Sequence, residues 1–385
     1  MCASLALAQQ TTSPAPPAPK LTLPYNPGRP TPPPAPSFGN GIDYHNGPIM
    51  PRINVYYIFY GSWRGDDAVT HLENVARNIG GTYWWNINST YTDTTGARAG
   101  PAIFHAGSIF DESLSAGNTL TTQGIRDVVS SAILQRRLPL DESAVYVVAA
   151  SAGVTVPGLC TEFCGWHTAG WVTQDGATRT VKLAFVGDTR KCPSACGAQT
   201  LTPNNSVAAD GMVSVFAHEL AEAATDPEIN AWYDSNGLEN ADKCSWMFGT
   251  TSRAPNGAGT NIVLGAYRYL IQQNWVNAGG GYCAMQYGGP AVTGMNPTSG
   301  AAGSAISVTI RGTNFEPGVT LEPSGTGLTV TDLRLASSNE LTATITAAAG
   351  AEAGVREMRL VQRGAEYLLS FTVTQALPVL TSVTW

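Results

Sequence analysis

The sequence predicts an α/β domain followed by a small antiparallel β-sandwich, and three observations carry that prediction. Up to about residue 288, β-branched and aromatic runs alternate with segments of helical apolar periodicity, the order of a sheet with helices packed on its faces. At Gly288-Gly289-Pro290 the composition shifts to Thr, Val and Gly, with short alternating runs and regular turn signals, the pattern of a sandwich. The chain has 385 residues, long enough for each part to bury a core.

Taken in order, residues 1–10 (MCASLALAQQ) look like the end of a secretory signal, with Ala6-Leu7-Ala8 as the small-x-small cleavage pattern. The basic region and most of the apolar region are missing, so an upstream start is expected. Residues 11–42 are Pro-, Ala- and Thr-rich and hold eleven of the 25 Pro, which predicts an extended linker. The α/β domain is assigned to 43–288. Its first strand is 53–60 (INVYYIFY), bounded by Pro51 and Gly61. Asp66 or Asp67 caps a helix whose apolar face is Val69, Leu72, Val75, Ala76 and Ile79. Residues 83–91 are aromatic and polar. A strand over 102–110, a helix over 119–138 with Ile125, Val128, Val129, Ala132 and Ile133 as its face, and strands over 144–150 and 181–186 follow, with a short apolar segment at 266–276. In the second domain, 289–385, runs fall at 306–310, 328–330, 341–345, 355–361 and 367–373. It holds no His, no Cys and no charged cluster, which reads as an accessory binding or spacing module.

Residues 213–226 (VSVFAHELAEAATD) carry the candidate chemistry. Val213, Phe216, Leu220 and Ala224 form an apolar stripe, Asp210 and Ser214 offer helix-start chemistry, and Pro227 ends the helix. His218 and Glu222 lie four residues apart, so both project from one face about a turn apart. An imidazole and a carboxylate so placed can share a metal ion, typically zinc. Glu219 takes the general-base position of the related HExxH pattern. The motif here is HExxE, and its competing reading is the polar face of an amphipathic helix.

A zinc site needs at least a third protein ligand. Asp226 is roughly 12 Å along the axis from His218 on a continuous helix, too far unless the chain folds back at Pro227; otherwise it caps the next turn. His167, placed by a possible Cys160–Cys164 bridge, is a second candidate. Asp234, Asn236, Glu239 and Asp242 form an acidic loop (DSNGLENAD) whose spaced oxygens around a Gly resemble a calcium loop without the full EF-hand pattern. Asp234 or Glu239 is the further candidate to complete a zinc site. His45, His71 and His105 show no partner signal; His71 is expected exposed on its helix and His45 structural.

Of seven Cys, six remain beyond Cys2, and an even set in a secreted chain reads as three disulfides. Local pairing is expected, Cys160 with Cys164 and Cys192 with Cys196, plus Cys244 with Cys283; cross-pairing of the two CxxxC segments is the alternative. Only 13% of residues are charged and 41 are Gly, which suggests an extracellular, loop-rich chain. The net charge of -7 argues against a nucleic-acid partner, and no apolar run reaches the length of a membrane span. There is no nucleophile elbow, P-loop or dinucleotide fingerprint.

Two resemblances follow from particular residues. The segment VTGMNPTSGAAGSAISVTIRGTNF, through Pro297, Gly300, Gly312 and Phe315, resembles the start of an IPT/TIG domain, which implies an immunoglobulin-like sandwich. From about Asp43 to Cys283 the chain resembles the EXORDIUM, or phosphate-induced protein, family of secreted plant cell-wall proteins. The matches are Tyr44-His45-Asn46-Gly47-Pro48, Tyr60-Gly61, Cys160 and Cys164-Gly165 with His167, Phe185-Val186-Gly187, Cys192-Pro193 with Cys196, Asp210-Gly211-Met212, the His218–Glu222 helix, and Asn230-Ala231-Trp232-Tyr233. The resemblance implies an extracellular protein linked to cell walls and growth control. A sheet preceding a HExx helix is also the order of the zincin metallopeptidases, an analogy of arrangement.

Two functions are therefore expected. One is a secreted zinc-dependent hydrolase, a peptidase, with His218 and Glu222 as ligands, Glu219 as base, and His167 or a downstream acid as third ligand. The other is a non-catalytic extracellular protein that binds cell-wall glycan or a protein partner, with Trp84, Trp85 and Trp166 available to stack on sugars unless they are core.

Overall fold

The computed structural model describes residues 41–375 and the backbone of residues 20–21. The signal remnant at 1–10, nearly all of the Pro-rich linker and the last ten residues lie outside the described residues.

The core sheet is mixed. We label its strands and helices β1 (Arg52–Tyr60), α1 (Asp67–Asn78), β2 (Ala102–Asp111), α2 (Thr122–Leu134), β3 (Ala144–Ala150), β4 (Gly165–Gln174), β5 (Ala177–Gly187) and α3 (Val207–Thr225). In space the strands run β4-β5-β3-β1-β2, and Lys20–Leu21 add antiparallel to β4. Strands β1, β2, β3 and β5 are mutually parallel, and β4 is antiparallel to β5. All seven residues of β3 are buried, which is why it reads as a continuous apolar run: a central parallel strand has a covered face on each side. Its residues divide by parity, as a pleated strand requires. Val145, Val147 and Ala149 pack with α1 and α3, whereas Tyr146, Val148 and Ala150 pack with α2.

Local chemistry fixes the helix starts. The Asp66 side chain accepts from the Ala68 amide, and Thr121 from that of Gly124. The long helix α3 starts earlier than the 213–226 pattern indicated. Ser206 is its cap and accepts from the Ala209 amide. Asp210 lies in its first turn and accepts from the backbone amide and side-chain amide of Asn204. The helix is also not amphipathic: every residue from Ala208 to Thr225 is buried. A helix covered all round has no solvent face on which polar residues can stand by default.

Beyond residue 288 the chain is all β. Ala291–Asn296, Ala305–Thr313, Glu340–Ala347 and Leu328–Ser337 form one four-stranded sheet in that order. A second sheet holds Thr320–Pro323, Gly354–Gln362 and Ala365–Thr374, and continues into the hairpin Ile262–Leu264 and Tyr267–Tyr269, with Ile262 opposite Ala365. One apolar cluster, including Val308, Ile310, Phe315, Leu341, Leu360 and Phe371, draws on both sheets. Strand pairing thus crosses the composition break. Gln362 Nε2, which donates to Tyr83 Oη at 2.6 Å, adds a side-chain tie across it.

The three disulfides form, but the local pairing is corrected. Cys160 bonds Cys192 and Cys164 bonds Cys196, with Cys244–Cys283 as expected. The Cα atoms of the two crossed pairs are 5.8 and 5.5 Å apart, within disulfide reach. They join the lead-in to β4 to the segment just before α3. His71 is a second correction: it is 5% exposed, and its Nδ1 lies 2.8 Å from the Tyr269 hydroxyl. The hairpin at 262–269 covers that flank of α1, which periodicity within the helix cannot reveal.

Candidate metal centre

Three segments converge beneath the β4 end of the sheet. From α3 come His218, Glu219 and Glu222, exposed by 1%, 0% and 1%. From β4 comes His167, fully buried. From the loop after residue 233 come Glu239, fully buried, and Asp242, whose side chain is 8% exposed.

Close approach of helix and strand is made possible by Gly165. A Cβ there would stand 2.6 Å from Val215 Cγ1, 2.8 Å from the Phe185 carbonyl oxygen and 3.0 Å from Glu219 Oε1. Only a residue without a side chain lets α3 lie this close to β4. The adjoining Cys164–Cys196 disulfide and the Thr189 hydroxyl, which donates to the Val207 carbonyl at 2.7 Å, hold the other end of the helix. The acidic loop is pinned by Asn240, whose Nδ2 donates to the Ala221 carbonyl at 3.2 Å.

The resulting contacts centre on Glu222. Its Oε1 is 2.9 Å from His218 Nε2 and accepts from the Asp242 amide at 3.1 Å. Its Oε2 is 3.7 Å from His167 Nε2. His167 Nε2 also lies 2.9 Å from Glu239 Oε2, and His218 Nε2 lies 3.5 Å from Asp242 Oδ1. Burial works against charge on the His218 ring. The Glu222 carboxylate, aided by Asp242 and Glu219, outweighs this and holds the His218 pKa well above the ordinary histidine value.

The donor chemistry fits a divalent metal. His167, Glu222 and Glu239 form one set whose ligand atoms lie within 4.8 Å of one another; His218, Glu219 and Glu222 form another. Imidazole nitrogen and carboxylate oxygen are the ligands zinc takes in closed protein sites. Ionised carboxylates in an apolar interior are costly unless compensated.

Of the residues singled out from the sequence, His167, His218, Glu219, Glu222 and Glu239 come together. Asp226 and Asp234 do not join them. Asp226 Oδ1 accepts from the Asn230 and Ala231 amides at 2.6 Å each, so it caps the turn after the helix. Asp234 Oδ1 accepts from the Asn236 and Leu238 amides, and its Oδ2 pairs with Lys243 at 3.2 Å. The oxygens of DSNGLENAD are thus divided between a turn and the two histidines. Asp242 belongs to the site as well, and only its membership of that acidic run pointed to it. Trp84, Trp85 and Trp166 are 2%, 2% and 1% exposed, so these three rings are core and not a sugar platform. His45 stacks on Tyr233 with ring centroids 3.7 Å apart, and His105 Nε2 lies 3.0 Å from the Ser108 hydroxyl.

The family model described as Phosphate-induced protein 1 conserved region matches residues 42–263, which include all of the site. Protein EXORDIUM-like 3 of Arabidopsis thaliana is 32% identical over 271 residues, spanning 61% of this chain and 80% of that protein. Protein EXORDIUM-like 5 of the same plant is 32% identical over 238 residues, spanning 54% of this chain and 65% of that protein. Protein PHOSPHATE-INDUCED 1 of Nicotiana tabacum is 25% identical over 235 residues, spanning 54% and 72%.

Proposed function

The chain belongs to the phosphate-induced protein 1 family, and from that premise we propose that it is an extracellular protein built around a closed divalent-metal centre, with zinc as the ion. Three disulfides and the family support the extracellular assignment. Among the described residues no helix is long and apolar enough to cross a membrane.

The observation that carries the metal reading is the burial of two imidazoles and three carboxylates, His167, His218, Glu219, Glu222 and Glu239, with Asp242 beside His218. His218, Glu222, His167 and Glu239 are the ligands. A bound ion supplies positive charge and ties α3 to β4 and to the acidic loop. Structural metal sites are closed and catalytic ones keep an open position; donors exposed by 1% or less in α3, β4 and Glu239 favour the structural role. Chelation of the purified protein tests this. The account expects a fall in melting temperature, reversed by zinc, and an unchanged melting temperature contradicts it.

A second reading, a metal-dependent hydrolase of the peptidase class, is favoured by Glu219 alone. It shares a donor set with His218 and Glu222 and occupies the base position of the motif. Turnover on a peptide panel that is lost in Glu219→Gln, with metal retained, selects this reading.

Residues 289–385 are proposed as an IPT/TIG-like domain. Two of its signature glycines have steric reasons within the described part. A Cβ on Gly312 would stand 2.3 Å from the Ala291 carbonyl oxygen, and one on Gly300 would stand 2.3 Å from Ile306 Cδ1. A cell-wall glycan or an extracellular protein is the partner class that the family resemblance implies.

A further inference from the structure

We propose that the centre holds two divalent ions rather than one, bridged by the carboxylate of Glu222. The inference deepens the metal reading above and rests on it. Its first ground is the arrangement of donors. The ligand atoms fall into two sets of three, His218 with Glu219 and His167 with Glu239, and Glu222 is the residue common to both. The two histidines belong to different sets.

The second ground is the orientation of Glu222. A carboxylate has two oxygens with separate lone pairs. Here Oε1 faces His218 at 2.9 Å and Oε2 faces His167 at 3.7 Å. The Asp242 amide holds Oε1 from the side. Each oxygen is thus aimed into a different imidazole-containing position, the disposition of a bridging ligand between metals about 3.5–4 Å apart in two-metal sites.

Charge is the third ground. Glu219, Glu222, Glu239 and Asp242 carry four negative charges when ionised, and metal-binding imidazoles are neutral. One divalent ion offsets half of that charge; two offset all of it. Nitrogen and carboxylate ligands together suit zinc in both positions, and manganese as a substitute.

The test is zinc stoichiometry on the full chain, stripped with chelator, refilled by dialysis and read by elemental analysis against protein concentration. The expected result is two ions per chain, falling to one in His167→Gln. One ion per wild-type chain overturns the two-ion proposal and leaves the single centre standing; none overturns both. Because His167→Gln can fail to fold, a wild-type measurement accompanies it. The manganese-loaded protein is expected to show spin coupling in its electron paramagnetic resonance spectrum. Two bound ions with no coupling overturn the Glu222 bridge.

Discussion

His218 Nε2 lies 2.9 Å from Glu222 Oε1, one helical turn away, and neither side chain is more than 2% exposed. The i,i+4 spacing alone would give this contact on any helix. What distinguishes it is the second histidine and second glutamate, brought by β4 and by the loop after residue 233: His167 lies 3.7 Å from the same carboxylate and 2.9 Å from Glu239. The centre therefore exists only when three distant segments have assembled.

A metal that binds the folded state alone stabilises it by mass action, about 4 kcal/mol when free ligand is 1,000 times the dissociation constant. For a domain the size of the α/β part each kcal/mol moves the midpoint by about 2–4 °C. Chelation is therefore expected to lower the melting temperature by on the order of 10 °C, measured by calorimetry with and without added zinc. His218→Ala is expected to shrink that difference clearly, because the position that His218 shares with Glu219 and Glu222 loses its imidazole.

Gly165 is the steric gate between helix and strand. Gly165→Ala places a methyl 2.6 Å from Val215 Cγ1 and 2.8 Å from the Phe185 carbonyl oxygen, and the strand backbone cannot yield as a side chain would. Overpacking of this kind costs about 1–3 kcal/mol. Urea denaturation is expected to show that loss together with weaker zinc binding, whereas Gly153→Ala, with nothing within 4 Å of its added Cβ, leaves both unchanged.

Peptide mapping without reduction is expected to recover Cys160 joined to Cys192 and Cys164 joined to Cys196. Linkage within either CxxxC segment contradicts the fold. Each crossed bridge has a sequence separation of 32 residues. Replacing Cys164 and Cys196 together by Ser is expected to cost about 2–4 kcal/mol, read by denaturant titration.

His71 supplies a pH dependence remote from the centre. Burial lowers its pKa, which the carboxylates of Asp210 and Asp67 only partly offset, and the Tyr269 hydroxyl and the Tyr267 ring face it. A folded-state pKa below the unfolded one means that the unfolded chain binds the proton more readily. The His71 contribution is then fully present above the ordinary histidine pKa, about 6.5, and is lost as pH falls through the lowered folded value. Between pH 7 and 5 the wild type is expected to lose stability faster than His71→Phe, by at most about 1.4 kcal/mol per pH unit, the slope of one proton. Parallel curves for the two proteins contradict the assignment.

Much of this was legible in residue order. The strands 53–60, 102–110, 144–150 and 181–186 fall within β1, β2, β3 and β5, because β-branched runs report directly on a buried pleated surface. His218, Glu219 and Glu222 were legible because helical spacing is local. Strand β4 was not: its sequence, GWHTAGWVTQ, holds two Gly and three Thr or Gln, and it gains its place as the antiparallel neighbour of β5. The crossed disulfides and the burial of His71 depend on contacts 32 and 198 residues apart in sequence, which no periodicity encodes. Asp242 is visible in the sequence only as part of the acidic loop, and its pairing with His218 is not, since that partner lies on another element.

The central claim is that the buried His–Glu cluster is a metal centre. Elemental analysis of the purified protein, beside folded His218→Ala, tests it most directly. The account predicts bound zinc in the wild type and a clear loss in the variant. Wild-type protein that is folded and free of divalent metal, and stays so after dialysis against zinc, would contradict it.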